Sequence, residues 1–333
     1  LDAGRPLRQG HPRDERMPKR KRRIALFCCP GGVRTPQAVA QEAACSSRPI
    51  AIVVAWPPGA SADLVARAVD QRMSGMLGQP IVTDSRSGAA GCSAASTSRI
   101  EARGYTLQVT HNSTHGLISL FSRNVTYDPL LDFTCIAPLA GAANALSVNA
   151  SLPIRSVANL VACARSGPQG VQVGIFGSLD HHLGTELLRI HPGLHFAFVP
   201  SSAIAGHIHP GMIGALPAAW GPAREGRVRI LGVTEPRQAT TSPEVPAIGE
   251  TIEGPGVPPV NFTLFGPAGL PEPIVAKLDA AANEALANPQ VRARFADAAD
   301  QPLGGTPEDA RRLFTEDVEA FRRITDAAGI RPE

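Results

Sequence analysis

The stretch that most constrains this chain runs from Arg48 to Asp63. After Arg48 and Pro49 comes the apolar run Ile50, Ala51, Ile52, Val53, Val54 and Ala55, then Trp56, Pro57, Pro58, Gly59, Ala60, Ser61, Ala62 and Asp63. The β-branched run has the length of a buried strand. Two prolines and a glycine cannot continue it. Ser61 is the expected N-cap of a helix, and Asp63 falls in the first turn, where a carboxylate complements the helix dipole. Leu64, Val65, Ala68, Val69, Arg72, Met73, Met76 and Leu77 follow at helical spacing, and Gly78 closes the helix. A strand whose loop opens a helix presents free backbone N–H groups at the mouth of an α/β sheet. That arrangement suits an anionic ligand.

At 333 residues and 43% apolar content the chain has room for two α/β domains. No apolar run approaches the roughly 20 residues that span a bilayer. The formal charge of +3 is unevenly spread. Residues 1–23 carry nine Lys and Arg against Asp2, Asp14 and Glu15, a net +6, so the rest of the chain is −3. A mildly acidic body without a basic stripe argues against nucleic-acid binding.

Met17, Pro18 and the basic run Lys19 to Arg23, followed by Ile24, Ala25, Leu26, Phe27, Cys28 and Cys29, have the form of the n-region and early h-region of a secretory signal, with Ala38-Val39-Ala40 as a small-x-small cleavage site. Pro30, Gly31 and Gly32 interrupt the apolar run early, so the export signal is irregular. A disordered cytoplasmic tail and a nuclear-localisation-like patch are the competing readings. The six cysteines show no C-x-x-C spacing; scattered small core residues is the plainer reading.

Further along, 80–84 and 104–110 read as strands with an Ala/Ser helix between them, ending near Arg99. This βαβ alternation implies a parallel sheet. The loops at the carboxyl ends of these strands, including 85–91 and the donor-rich 111–116, are where ligands gather on such sheets. A second unit has strands over 145–148, 171–176, 196–199 and 228–233, with Ser156 capping a helix over 157–164. The loop 177–182 opens a helix through Leu188. The segment 201–222 is rich in Gly, His and Pro, and 243–246 and 254–259 are linker-like. Helices return near 271–287 and after Thr306, which caps, with Pro307 at the first helical position and Asp309 three after the cap. Ala310, Leu313, Phe314, Val318, Phe321 and Ile324 form the expected buried stripe of that last helix.

These segments, in order, resemble the substrate-binding receptors of tripartite tricarboxylate transporters, the Bug receptor family. The matching pieces are Arg48-Pro49-Ile50 with Pro57-Pro58-Gly59 and Asp63; Gly78-Gln79-Pro80; Gly104-Tyr105-Thr106; Tyr127-Asp128-Pro129 with Asp132-Phe133; His182-Leu183 with Glu186-Leu187; Phe265-Gly266-Pro267; and Gly304-Gly305-Thr306-Pro307-Glu308. The resemblance implies an α/β, periplasmic binding protein type II fold, two α/β domains with a ligand cleft between them in the manner of a Venus flytrap. It implies a leader over 1–45, domain 1 from 46–145 plus 256–333, and domain 2 from 146–255. It also implies a periplasmic, monomeric, non-enzymatic receptor without cofactor, which binds a small carboxylate and delivers it to membrane permease subunits. The stretch 201–222 is several residues short of the family pattern and lacks its acidic strand, which predicts that part of the second sheet is missing or rebuilt.

The candidate ligand-binding residues are Trp56, Pro58, Gly59, Ala60, Ser61, Asp63, Arg86, Asn112, Ser113, Thr114, Gly177, Ser178, Asp180, His181 and His182. Gly59, Ala60 and Ser61 would offer N–H groups; Asn112, Thr114 and Ser178 side-chain hydrogen bonds; and Arg86 a bidentate cation. Asp180 would repel an anion unless His181 or His182 were protonated or a cation intervened. His115 sits where the family motif has a histidine and is read as ordering its loop. Two alternatives stay open: a metal or metal-chelate binder built on His181, His182, His207 and His209, and a decayed family member without ligand. A hydrolase built on Ser178, Asp180 and His182 lacks a G-x-S-x-G setting.

Overall fold

The structure is a computed structural model that describes residues 48–86, 97, 102–166, 171–176, 179–189, 191–201, 211–235, 244–252 and 256–331. The first strand, β1 (Ile50–Val54), leads through the Pro/Gly loop into helix α1 (Ser61–Leu77). Gly78 closes α1 in the left-handed conformation (φ 68°), donating its N–H to Ser74. The chain then forms β2 (Ile81–Ser85) and β3 (Thr106–His111), a π-helical turn (Ser113–Leu117) running into α2 (Ile118–Phe121), and the long β4 (Phe133–Ala142). A second group follows: β5 (Asn144–Asn149), α3 (Val157–Arg165), β6 (Val171–Phe176), α4 (Leu179–Arg189), β7 (Phe196–Ser201), β8 (Gly211–Ala215), α5 (Leu216–Arg224) and β9 (Val228–Val233). The chain returns through β10 (Val260–Pro267), α6 (Glu272–Ala287), α7 (Pro289–Asp297), β11 (Gln301–Pro302) and α8 (Pro307–Ala327).

These strands make two sheets. The first has the order β11-β4-β10-β3-β1-β2, the second β7-β6-β8-β5-β9. Two segments join them: Ala143, between β4 and β5, and residues 234–259, between β9 and β10. The crossings lie side by side, since Thr234 donates its N–H to Asn144 (2.8 Å) and Val257 donates to Thr234 (3.0 Å). Alternation along β1 turns Ile50, Ile52 and Val54 to one face. There they meet Val65, Val69 and Met73 of α1, Leu107 and Val109 of β3, and Ile274 and Leu278 of α6. A separate core under the second sheet gathers Leu146, Leu160, Val173, Ile213 and Leu231. Each such side chain removed from water stabilises its lobe by about 2 kcal/mol.

A smaller apolar cluster spans the two lobes. Leu117 of the π-helical turn, Phe321 and Ile324 of α8, Val257 of the crossing and Leu183 of α4 pack together, with Ile330 and Leu179 against them.

Several expectations change. The first sheet is mixed rather than parallel: β1 pairs parallel with β2 and β3, but β10 runs antiparallel to both β3 and β4. In the stretch 201–222, where the described residues are 201 and 211–222, the second sheet is not interrupted. The stretch supplies β8, which lies between β6 and β5, and most of α5. The residue capping α1 is Ala60, extended at φ −71° and ψ 159° without a side-chain bond, so Ser61 is the first helical residue. Leu64 and Met76, counted in the apolar stripe, are exposed. Residues 113–117 are helical and buried rather than an open loop, and Asp180, His181 and His182 lie in the first turns of α4. The Ala/Ser helix near Arg99 falls outside the described residues except for Thr97, which is helical. The last helix opens as read. The Thr306 hydroxyl accepts from the N–H of Asp309 (3.1 Å), and Asp309 accepts in return from Thr306 (3.0 Å). Its stripe is shifted, with Leu313 half-buried and Asp317 buried.

Candidate functional site

The loop between β1 and α1 is tied down by Asp63, a third-position residue of the helix that reaches back. Its carboxylate accepts from the N–H of Gly59 (2.9 Å), from the Ser85 hydroxyl (2.5 Å) and from Arg67 Nε (2.9 and 3.0 Å). Gly59 takes φ 83°, which a side chain would strain. Burial pushes the Asp63 carboxyl up, but the donors from Arg67, Gly59 and Ser85, with the Arg67 charge, outweigh it and hold the pKa below its ordinary value. Ala60 N–H is donated to Pro57 (3.1 Å). Two of the three backbone donors assigned to a ligand are therefore already engaged within the loop. Pro58 and Gly59 are exposed, while Ala60 and Ser61 are half-buried. Arg86 is exposed and paired with Asp84 (2.7 Å).

Beyond β3, Trp56 stacks on His111, with ring centroids 5.3 Å apart at 30°, and Phe262 meets the same imidazole edge-on. The Ser113 hydroxyl lies 2.7 Å from His111 Nδ1, and the Thr114 hydroxyl 3.0 Å from Nε2. Burial takes His111 down to about 4; the charge of Asp180 opposes this shift and His181 adds to it. His111 is thus neutral at physiological pH, and residues of the second lobe are close enough to act on it. Asn112 is a structural residue. Its amide donates to Pro259 and to Asp317 (both 2.8 Å), and its carbonyl accepts from Ser113 (2.9 Å) and Asn261 (3.2 Å). Both donors and both lone pairs are used within the protein.

His115 is fully buried, stacked on Phe265 (4.6 Å, 22°), with Tyr127, Phe133 and Phe314 around it. Burial, with a smaller contribution from His111, lowers it to about 3, so it is a neutral ring in an aromatic box. It packs inside the fold and does not line the cavity described below. A Cβ on the adjacent Gly116 would lie 2.6 Å from Val318, so glycine permits this close packing.

The second lobe contributes α4. Asp180, buried in its first turn, has Oδ2 3.7 Å from His181 Nε2. His182, partly exposed, faces Glu186 (3.4 Å), which also holds Arg189 (2.6 Å). Gly177 and Ser178 lie outside the described residues, as do His207 and His209. Among the described residues no group of three or more His, Cys, Asp or Glu converges as a metal site requires. At the crossing, Glu235 accepts from the N–H of Asn144 (2.9 Å). Its burial, against backbone donors and with the charge of Asp180 adding, pushes it up to about 8.

A cavity of about 820 Å³ opens between the lobes. Trp56, Thr114, Ile118, Phe121, Ser122 and Asn124 line it from the first lobe, Leu179, His182, Glu186 and Arg189 from the second, and the segment 328–331 completes the lining. Of the sequence candidates it gathers Trp56, Thr114 and His182. Pro58, Gly59, Ala60, Ser61, Asp63, Arg86, Asn112, Ser113, Asp180 and His181 do not line it. Ile118, Phe121, Arg189 and the 328–331 segment line it without having been among the sequence candidates. The last follows a helix read only for its core face, and no local motif marks it.

This arrangement, two α/β lobes joined by two crossings around an interlobe cavity, is that of a solute-binding receptor. The sequence matches the "Tripartite tricarboxylate transporter family receptor" family over residues 65–330, and the chain belongs to that family, whose members are periplasmic solute receptors and not enzymes. It is similar to a UPF0065 protein of Bordetella bronchiseptica, 31% identical over 306 residues, 88% of this chain and 89% of that protein. Among solved structures it is similar to "R. palustris Rpa4515 with adipate", with TM-score 0.79 and 29% identity over 86% of this chain and 99% of that one. It is also similar to "MatC (Rpa3494) from Rhodopseudomonas palustris with bound malate", with TM-score 0.73 and 28% identity over 83% and 98%.

Proposed function

We propose that this chain is an extracytoplasmic receptor that captures a small carboxylate between its lobes and presents it to the membrane permease subunits of a tripartite transporter. The observation that carries this reading is the interlobe cavity, whose walls come from both lobes and include Trp56, Thr114, Leu179 and His182. A ligand touching both walls favours the closed arrangement over the open one, which is how hinge closure is driven. Adipate and malate in the two similar structures point to carboxylates.

In this reading 46–145 plus 256–333 form one domain and 146–255 the other, with the hinge near Ala143, Thr234 and Val257, where the two crossings are hydrogen-bonded. Trp56, Thr114 and His182 are the ligand contacts, and 1–45 is an export leader that sends the protein to the periplasm. Thermal unfolding against mono-, di- and tricarboxylates, acidic amino acids and Zn²⁺ tests it. A ligand at 100 times its Kd adds about 2.7 kcal/mol, which for a chain of this size raises Tm by several degrees. The reading fails if no carboxylate shifts Tm, and a shift with zinc alone would move the function to the histidines.

A further inference from the structure

Helix α8 ends in a way that aims the residues after it at the cleft. Gly329 is left-handed (φ 67°) and donates its N–H to Asp326 (3.1 Å), while Ile330 donates to Thr325 (2.9 Å). These are the paired bonds of a Schellman close, in which the residue after the glycine makes an apolar contact back onto the last turn. Ile330 does so, packing into the interlobe cluster with Ile324, Phe321 and Leu183. Both the backbone and this anchor hold the segment, and Arg331 follows directly at the cavity wall.

The charges on that wall are unequal in their partners. Arg189 is engaged by Glu186 at 2.6 Å, and His182 faces the same carboxylate at 3.4 Å. Arg331 lines the cavity and makes no ion pair among the described residues. Trp56, Ile118, Phe121, Leu179 and Ile330 give the space an apolar wall, and Thr114, Ser122 and Asn124 add uncharged polar groups. One unpartnered guanidinium beside an apolar wall matches a ligand with one carboxylate and an apolar body. A second or third carboxylate would find only the neutral donors of Thr114, Ser122 and Asn124, without a second unpaired cation among the described lining residues.

We propose that Arg331 receives the ligand carboxylate and that the cargo is a monocarboxylate with an aliphatic chain or aromatic ring, rather than a compact di- or tricarboxylate. This rests on the receptor reading above and narrows it. The chemistry is a charge-assisted, bidentate hydrogen-bond pair of the kind a guanidinium forms with a carboxylate.

Titration calorimetry of the full chain with hexanoate, benzoate, succinate and citrate tests it. Hexanoate or benzoate is expected to bind at least tenfold more tightly than succinate or citrate. Arg331→Ala should weaken that binding about tenfold or more, with Arg331→Lys between the two, while the ligand-free Tm stays unchanged. Because Arg331 is exposed, loss of folding does not confuse the result. Preference for succinate or citrate in the wild type overturns the ligand class. An unchanged Kd in Arg331→Ala overturns the role of Arg331. If none of the four probes binds the wild type, the cargo assignment fails, and the broader carboxylate panel decides whether the receptor reading fails with it.

Discussion

The loop between β1 and α1 and the crossing that follows β9 each bury a carboxyl, and the two are shifted in opposite directions. Asp63 is 2% exposed and Glu235 is 8% exposed. Asp63 receives a guanidinium, a backbone N–H and a hydroxyl, and its pKa falls below the ordinary value. Glu235 has one oxygen on the Asn144 N–H and the other buried without a partner among the described residues; it rises to about 8. Asp317 lies between, 6% exposed with two amide donors, and is pushed up to about 7, burial outweighing the Asn261 and Asn112 amides. Burial alone does not set the charge of these groups. The number and charge of the donors facing each carboxyl decide it. The loop between β1 and α1 is therefore locked around an ionised carboxylate, and the crossing carries a carboxyl that is neutral at pH 7.

The comparison can be broken at each point. The largest effect is expected from Asp317→Ala, which strands the buried amides of Asn261 and Asn112; equilibrium urea unfolding should record a loss of about 3 kcal/mol. A mutant as stable as the wild type would mean that these amides do not depend on Asp317.

Asp63→Ala should cost about 2 kcal/mol, since Gly59, Ser85 and Arg67 all lose their acceptor. The pH dependence has a definite sign. The folded pKa of Asp63 lies below its unfolded value, so its contribution is complete above the ordinary 3.8 and disappears as pH falls through the lower folded value. Acid unfolding curves of wild type and mutant should therefore converge at low pH, and parallel curves would refute the assignment.

Glu235→Gln sharpens the other side. A folded pKa near 8 against an ordinary 4.5 means that the folded state holds a proton the unfolded state has released. The stability from Glu235 is thus complete below pH 4.5 and lost as pH rises toward 8. The glutamine keeps an acceptor for Asn144, and above pH 8 the variant should be the more stable by about 1 kcal/mol. An unchanged pH profile would show that Glu235 is ionised in the fold.

The smallest effect is expected from Arg86→Ala. An exposed Arg86–Asp84 pair contributes less than about 0.5 kcal/mol, and carboxylate affinity should change by less than about twofold. A large loss of affinity would return Arg86 to the site.

Much of the local structure was legible because its causes lie within a few residues. The β-branched run of β1, the Gly78 close, the Ser156 cap and the Thr306–Asp309 capping box depend on neighbours no more than about one turn away. The strands β4 and β10 were not legible. β10 is buried at every position and β4 at most of them, so no alternation marks them, and the residues they pair with lie more than 100 positions apart in sequence. β8 was hidden for a different reason, as a short Gly-containing strand in a stretch that reads as turns.

The candidate site divides along the same line. The sequence by itself determined the family's ordered motifs, the strand–loop–helix unit that opens the cleft, and the presence of Trp56, Thr114 and His182. Only the tertiary structure decided that the Gly59 N–H and the Asn112 amide are consumed internally, that Glu235 is neutral, and that Arg331 reaches the cavity. Helix caps and strand propensities act over a few bonds along the chain. Desolvation, hydrogen-bond saturation and ion pairing depend on which distant residues share a volume, and that is fixed only when the two lobes pack.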